Sequence, residues 1–322
     1  MLRRVDPILY AFAVVLLLCA VKYYRPAQGY REALGAWLYT PLCEVPAGRE
    51  FSIEYYGLIY TGNTSNLIDQ RVLCAGAWEK HILHFLGQTA DALKEHNPRE
   101  ADKLVFVDVG ANTGLHSLFM SQHAAKVHAF DPYPPIVDKL RHNVDRNQLK
   151  HVLIHPVGLG DKAARLPFAE PPESNQGVGS FVTDAGLGRQ GADLVLDVVV
   201  GDEYFATHGI DRADIVKVDV EGFEKPVLLG LRRTLAAHRP VLVFELAVRA
   251  GVDSRFKSRE DLEAALPDDY RLYYFAQWNG YTGEFDLRDL NIDFDVPIGQ
   301  WDIIAAPAEL TELVPRRADA SW

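Results

Sequence analysis

Asp108 and Asp131 each stand at the end of a short apolar run, and the residues after them are turn formers. The stretch Val107-Asp108-Val109-Gly110-Ala111-Asn112-Thr113-Gly114 leaves such a run and enters a helix near Leu115. Gly110 and Gly114 let the backbone turn tightly and come within contact distance of a ligand, an approach that any side chain would block. Asp108 adds a negative charge that repels a pyrophosphate and attracts an ammonium group. The turn therefore favours S-adenosylmethionine, with its amino-acid moiety, over a dinucleotide. Asp131 follows Gly110 by 21 residues and is placed to accept hydrogen bonds from two ribose hydroxyls. A glycine turn alone is a weak signal. The turn, the two acids and a strand-helix-strand context together are a specific one.

A second group of chemistry-bearing residues lies further on. Lys217, Asp219 and Glu221 alternate with Val216, Val218 and Val220, so a period of two places all three on one side of a strand or of its exit. Gly222 allows close approach there, and Glu245 ends the next apolar run. Moving a methyl group in line from a sulfonium to a hydroxyl requires alignment and a group to take the hydroxyl proton. Asp219, Glu221 and Glu245 are the candidate catalytic carboxylates, with a structural Lys217–Asp219 ion pair as the simpler reading of the first. Clustered carboxylates also suit Mg²⁺, but no metal is expected. His116 and His155 have a suitable intrinsic pKa for a base. On the helix after the glycine turn, His116 is more simply a packing residue.

The elements that must position these groups are legible as uninterrupted apolar runs. Leu104 to Val109, Lys126 to Asp131, Val152 to Val157, Ile215 to Val220 and Val241 to Glu245 predict strands buried on both faces, hence a parallel sheet covered by helices. Tyr270 to Ala276 and Trp301 to Ala306 follow with no helix between them, which predicts an antiparallel final strand in a seven-stranded sheet. Before the sheet, Arg49 to Tyr60 has the alternation and central Gly57 of a hairpin. Trp78, Ile82, Phe85, Leu86 and Leu93 recur at helical spacing over Ala77 to Glu95. Pro167 to Gly191 reads as a long loop beside the sheet. Tyr273, Tyr274, Phe275, Trp278, Tyr281 and Phe285 cluster late in the chain, suited to sheet packing or to gripping a sugar or acyl chain.

The 322 residues carry a net charge of −11, with 48% hydrophobic and 24% charged positions. This is the composition of a folded protein, and its sign is wrong for one that coats nucleic acid. Through Arg31 the local net is +4, leaving −15 for the rest. Ile8 to Val21 is an uncharged, mostly aliphatic run of 14 residues between Arg3, Arg4 and Lys22, Tyr23, Tyr24, Arg25. That pattern predicts a short membrane anchor over a signal peptide or a buried helix, with the catalytic part on the cytoplasmic side. Three cysteines, Cys19, Cys43 and Cys74, lack metal-ligand spacing and predict neither a disulfide scaffold nor a zinc site. The expected organisation is an anchor over 1–25, a linker, hairpin and capping helix over 26–98, a catalytic domain over 99–310 and a tail over 311–322.

The segment DVGANTGLHSLFMSQHAAKVHAFDPYPP, the later HPVGLGD at His155 to Asp161 and KVDVEGFEKPVLLGL at Lys217 to Leu231 resemble the FkbM family of S-adenosylmethionine-dependent methyltransferases. The resemblance covers about Ala77 to Leu246. It implies an α/β fold with a class I methyltransferase, Rossmann-like sheet, and O-methylation of a hydroxyl on a glycan, glycolipid or related product. It also implies that Asp108, Gly110, Asn112 and Gly114 line the methionine and ribose part of the cofactor and that Asp131 holds the ribose. Pro132 and Tyr133 would flank the adenine. Gly158 and Asp161 would contact its edge, although Asp161 is equally a solvated turn acid. Glu79, with Trp78, matches the family's aromatic-acid pair ahead of the first strand. Two other functions compete: a membrane-anchored scaffold that keeps the cofactor pocket without catalysis, and a nicotinamide-dependent oxidoreductase. The charge of Asp108 and the lack of a GxGxxG fingerprint weigh against the second.

Overall fold

The structure is a computed structural model that describes residues 45–181, 194–249, 255–292, 294 and 298–318. The expected anchor at 1–25 lies outside the described residues, as do 182–193 of the long loop and the tail after 318. No helix among the described residues is long and apolar enough to cross a membrane. From Val45 onward the chain forms one compact unit.

Strands β1 (Glu50–Tyr55) and β2 (Leu58–Asn63) form the hairpin expected around Gly57. Its two-residue turn puts Tyr56 at φ 49° and Gly57 at φ 79°, the left-handed pair that matches the twist of the flanking strands. Helix α1 (Leu67–Ala75) follows and stops at Gly76, whose φ of 85° lets its N–H bond back to the Val72 carbonyl. Helix α2 (Lys80–His96) is the predicted amphipathic helix and buries Ile82, Leu83, Phe85, Leu86 and Ala90. Then come β3 (Val105–Val109), α3 (Leu115–Met120), β4 (Lys126–Phe130), α4 (Pro134–Arg146) and β5 (Val152–His155). β6 (Gly158–Gly160), β7 (Ala164–Pro167), β8 (Val195–Val200), α5 (Gly201–Thr207) and β9 (Ile215–Val218) follow. After α6 (Glu224–Gly230), α7 (Arg232–His238), β10 (Val241–Arg249) and α8 (Arg259–Glu263), the chain ends in β11 (Tyr270–Trp278), β12 (Phe285–Asp289), β13 (Ile298–Pro307) and β14 (Arg317–Ala318).

The main sheet has the order β14-β12-β11-β13-β10-β9-β3-β4-β5. Strands β5, β4, β3, β9 and β10 run parallel, and β13 inserts antiparallel between β10 and β11. The seven expected strands and the antiparallel one are all present. The sheet nevertheless has nine, because β12 and β14 extend the far edge. β12 reads Phe-Asp-Leu-Arg-Asp and follows a tight turn, so half its residues look like loop. A separate three-stranded sheet, β6-β8-β7, forms on either side of the predicted loop, where no strand was expected. Part of that loop is held by a bridge between Ala169 and Ser180.

Alternating residues of the strands feed two cores, as period two requires. Phe106, Val127, Val243, Tyr273 and Ile304 pack under α2, α3 and the hairpin, whereas Val107, Val218, Phe244 and Ile303 pack on the opposite face with α6, α7 and α8. The cysteine reading needs correction: Cys74 is disulfide-bonded. Spacing could not show this, because a disulfide depends on which segments fold together.

Candidate functional site

The carboxyl ends of β3, β4 and β9 open into a cleft, the position where open parallel sheets bind ligands. Gly110, Asn112, Asp131, Pro132, Tyr133, Gly158, Asp219 and Glu221 all line it. The structure thus brings together residues that the sequence spreads over more than a hundred positions. Phe130, Phe168, Phe181 and Phe223 give it aromatic walls. The long loop supplies one wall through Phe168, Gly177, Ser180 and Phe181.

The glycine turn owes its shape to close packing. Gly110 has φ 85°, and a Cβ there would stand 1.8 Å from the carbonyl oxygen of Asp219. Its N–H and that of Ala111 both donate to the Phe130 carbonyl at 2.9 Å, which ties the turn to the end of β4. Asn112 also adopts a positive φ of 50°, and its side chain accepts from the Thr113 N–H at 2.7 Å. Gly114, at φ 94°, closes against Leu140 of α4.

Asp131 accepts the Tyr133 N–H on one oxygen at 2.9 Å and the Asn112 N–H on the other at 3.2 Å. Each oxygen retains a lone pair, the arrangement needed to receive two adjacent hydroxyls. Burial pushes its pKa up to about 7 despite those two N–H bonds.

Asp108 does not face the open cleft. It is wholly buried, accepts from Ser117 Oγ at 2.7 Å on one oxygen and has no hydrogen-bond partner on the other. Its strand neighbour in the β3–β9 register is Lys217. Lys217 Nζ in turn donates to Asp219 at 2.8 Å. Burial acts to neutralise Lys217, but Asp219, Asp108 and Glu79 outweigh it and hold the ammonium charged. The ion pair read from the sequence is therefore real, and its Asp219 member also lines the cleft.

Glu79 sits at the start of α2 in the left-handed region, φ 48°. Burial raises its pKa to about 8, with Asp219 adding and Lys217 opposing, and its carboxylate lies 3.6 Å from His116 Nε2. Glu221 has φ 55° and Gly222 φ 102°, a strained exit from β9 held by Ser180 Oγ, which donates to the Glu221 carbonyl at 2.9 Å. Glu245 takes no part in the cleft lining. It pairs in register with Asp302 of β13, receives a hydrogen bond from Gln300, and burial with four surrounding carboxylates pushes its pKa to about 10.

None of Asp161, His155 and His116 joins the cleft lining, and for His116 this is the packing role expected. Asp161 is exposed after β6 and does not line the cleft, whereas Gly158 beside it does. The hydrophobic strand end turns the glycine inward and the acid to solvent. His155 stacks on Phe130 at 4.3 Å and bonds to His128 and the Tyr204 hydroxyl. Burial depresses its pKa to about 4, as it does that of His128, so His155 is a packing residue. His116 is buried, and desolvation keeps it neutral.

Sequence reasoning missed two supports of the site. Glu224 is buried and accepts the Val220 and Gly222 N–H groups at 3.1 and 3.0 Å, closing the turn that carries Glu221. Its position inside KVDVEGFEKP was the available signal. Tyr60 of the hairpin donates to Asp69 at 2.6 Å and meets Thr113 Oγ at 2.8 Å, while Asn143 donates to the Thr113 carbonyl at 3.1 Å. These contacts span 53 and 30 residues and leave no local pattern.

The methyltransferase FkbM domain matches residues 108–271, about half the chain. Hexuronic acid methyltransferase AglP of Haloferax volcanii is 30% identical over 162 residues, which cover 50% of this chain and 63% of that protein. Methyltransferase sdnD of Sordaria araneosa is 34% identical over 153 residues, covering 39% and 59%. The chain spans less than two thirds of the length of these relatives. Among solved structures, methyltransferase FkbM from Methylobacillus flagellatus overlaps 63% of this chain and 44% of its own at 19% identity and a TM-score of 0.38.

Proposed function

Because the chain belongs to the FkbM methyltransferase family, we propose that it is an S-adenosylmethionine-dependent O-methyltransferase acting on a hydroxyl of a glycan, glycolipid or related natural product. The observation that carries this reading is the single cleft in which the Gly110 turn and Asp131 stand beside Asp219 and Glu221.

The residues fit the cofactor. Asp131 would hold the ribose, the backbone at Gly110 to Asn112 would lie along the amino-acid portion, and Tyr133 with the phenylalanine walls would flank the adenine. Bound there, S-adenosylmethionine supplies a methyl group already activated on sulfur. What the protein adds is orientation, exclusion of water and a place for the acceptor proton. Asp219 is the carboxylate suited to take it: one oxygen is held by Lys217 at 2.8 Å, and the residue lines the cleft. Lys217 would fix the position of Asp219 throughout.

The basic-flanked apolar segment Ile8 to Val21 supports a membrane setting and hence a lipid-linked or glycolipid acceptor. Supply of the cofactor favours the cytoplasmic face.

The test is transfer of a labelled methyl group from S-adenosylmethionine to a glycolipid extract by the detergent-solubilised full chain. Label should enter the extract with wild-type protein and fall by about a hundredfold or more in Asp219→Asn, consistent with loss of a proton-accepting group. Transfer undiminished in that variant would remove Asp219 from the reaction.

A further inference from the structure

The chain from Phe168 to Phe181 forms a closed loop along the cofactor cleft, and its construction differs from that of the fold beneath it. The neck is fastened to itself: Ala169 and Ser180 exchange both backbone hydrogen bonds, at 2.8 and 3.2 Å. Phe168, Ala169 and Ser180 at the neck are buried. None of residues 170–179 is. The blade of the loop therefore has no anchor in either core and is tied to the molecule by hydrogen bonds. At the start of α1, the Leu67 N–H donates to the Ser174 carbonyl at 2.9 Å and Asn66 Oδ1 accepts the Gln176 N–H at 3.1 Å. Lys139 of α4 donates to Gln176, and the Tyr133 hydroxyl donates to Glu170 at 3.0 Å. Segments with little buried apolar surface are the ones that open locally, and compact loops closed at the neck are frequently functional.

What the loop covers is the cofactor turn. Gly177 sits between α1 and that turn, where a Cβ would stand 2.7 Å from Ile68 and 3.5 Å from Asn112 Nδ2. Pro171, Gln176, Gly177, Gly179 and Ser180 all line the cleft. The neck also reaches the other side of the site. Ser180 Oγ donates to the Glu221 carbonyl at 2.9 Å, while Glu224 holds the Val220 and Gly222 N–H groups of the same turn. Glu221 has φ 55°, a conformation that a non-glycine residue keeps only while its surroundings fix it. This turn in turn abuts the glycine turn, since a Cβ on Gly110 would meet the Asp219 carbonyl. One buried hydroxyl thus joins the loop over the cofactor to the segment that carries Asp219 and Glu221.

We propose that residues 169–180 are a lid that closes on bound cofactor, and that Ser180 is the positioning residue through which closure sets the Asp219–Glu221 turn for the acceptor. This rests on the methyltransferase reading above and assigns its order of events. Cofactor binds first, the lid closes, the acceptor follows, and S-adenosylhomocysteine leaves only when the lid has lifted. With the lid raised, the Glu221 carbonyl loses its Ser180 partner and the turn relaxes, so the carboxylates are in place only over a loaded site.

The test uses the full chain and hydrogen–deuterium exchange read by mass spectrometry, with and without S-adenosylhomocysteine. In wild-type protein the ligand should slow exchange by about tenfold or more in both 170–179 and 219–223. In Ser180→Ala the loop should still be protected by ligand, whereas 219–223 should not. Exchange across β3, β4 and β9 that matches wild type establishes that each variant is folded. Lys139→Met, which cuts one outer tie, should speed S-adenosylhomocysteine dissociation in stopped flow by about fivefold. In methyl transfer to the glycolipid extract, Ser180→Ala should lower the rate at saturating S-adenosylmethionine by about tenfold with the cofactor KM within about twofold. Ser180→Thr, which keeps the hydroxyl, should recover most of that rate. Three results overturn the proposal: no ligand-dependent protection of 170–179, equal protection of 219–223 in wild type and Ser180→Ala, or a Ser180→Ala rate equal to wild type. If folded wild-type protein binds no S-adenosylhomocysteine, it is the methyltransferase reading that fails.

Discussion

The two halves of the sheet's carboxyl edge are built by different means. On the β4-β3-β9 side, chemistry is carried by contiguous turns: Gly110 to Gly114, Asp131 to Tyr133, and Asp219 to Gly222. Each turn leaves a strand and brings its own backbone into the cleft. On the β10-β13-β11 side, isolated residues from four elements meet, and a bulge in β11 decides which way the Trp278 indole points, onto His81 of α2. A site built from backbone turns tolerates little variation around it and leaves a motif. A cluster of side chains from separate elements leaves none.

The largest effect expected is on the backbone-built half. Gly110→Ala places a methyl group 1.8 Å from the Asp219 carbonyl oxygen at φ 85°, where neither backbone can yield cheaply. A loss of about 3 kcal/mol or more in urea unfolding is expected, with cofactor binding abolished. Normal stability in that variant would show that the turn is not held as described. Lys217→Met should cost about 3–5 kcal/mol, because it leaves Asp108 and Asp219 buried or half-buried without their cation. Substituting Asp108→Asn in the same background should restore part of the loss, and absence of any rescue would separate the two residues.

A smaller effect is confined to binding. Asp131→Asn should weaken S-adenosylhomocysteine by about ten- to a hundredfold through loss of charge-assisted hydrogen bonds, with the melting temperature little changed. Burial sets the Asp131 pKa near 7, so ionisation, and with it affinity, should rise as pH passes upward through that value. The Asn variant should be flat over the same range. A wild-type affinity independent of pH between 6 and 8, measured by calorimetry, would contradict the assignment of Asp131 to the ribose.

An effect on the pH dependence of stability lies at the outer end of the cofactor half. His128 and His155 share a hydrogen bond at 3.0 Å and are held neutral by burial, with pKa values near 4 against an ordinary 6.5. The unfolded chain takes up these protons first. Their contribution to stability is complete above about pH 6.5 and is lost as pH falls toward 4. Thermal melts across that range should show the decline, and His155→Gln should shallow it. An unaltered slope in that variant would mean that other groups govern the acid limb.

This difference in construction also explains what could be read in advance. The parallel strands, the antiparallel insertion and the hairpin at Gly57 follow from apolar runs and one turn, because local pattern decides them. Asp131, Asn112 and Gly158 were legible as cleft residues because each belongs to a strand-end turn. Asp161 was misplaced because a turn has two sides, and only the structure shows that Gly158 is the inward one. Glu245 was recognised as a neighbour of the acids, but its raised pKa comes from burial beside Asp219, Glu224, Glu221 and Asp302, which only the fold brings together. β12 and the β6-β8-β7 sheet escaped because their residues alternate with polar ones or lie in glycine-rich sequence. The bulge in β11 that sets the direction of Trp278 leaves no pattern in the sequence.

The central claim is that one half of the edge binds the cofactor independently of the other. Calorimetric titration of the detergent-solubilised full chain with S-adenosylhomocysteine, beside NADH, tests it most directly when repeated on Asp131→Ala and Trp278→Ala. Micromolar binding of S-adenosylhomocysteine alone is predicted, lost in Asp131→Ala and unchanged in Trp278→Ala. Equal binding of NADH, or loss of the adenosylhomocysteine in folded Trp278→Ala protein, would contradict it.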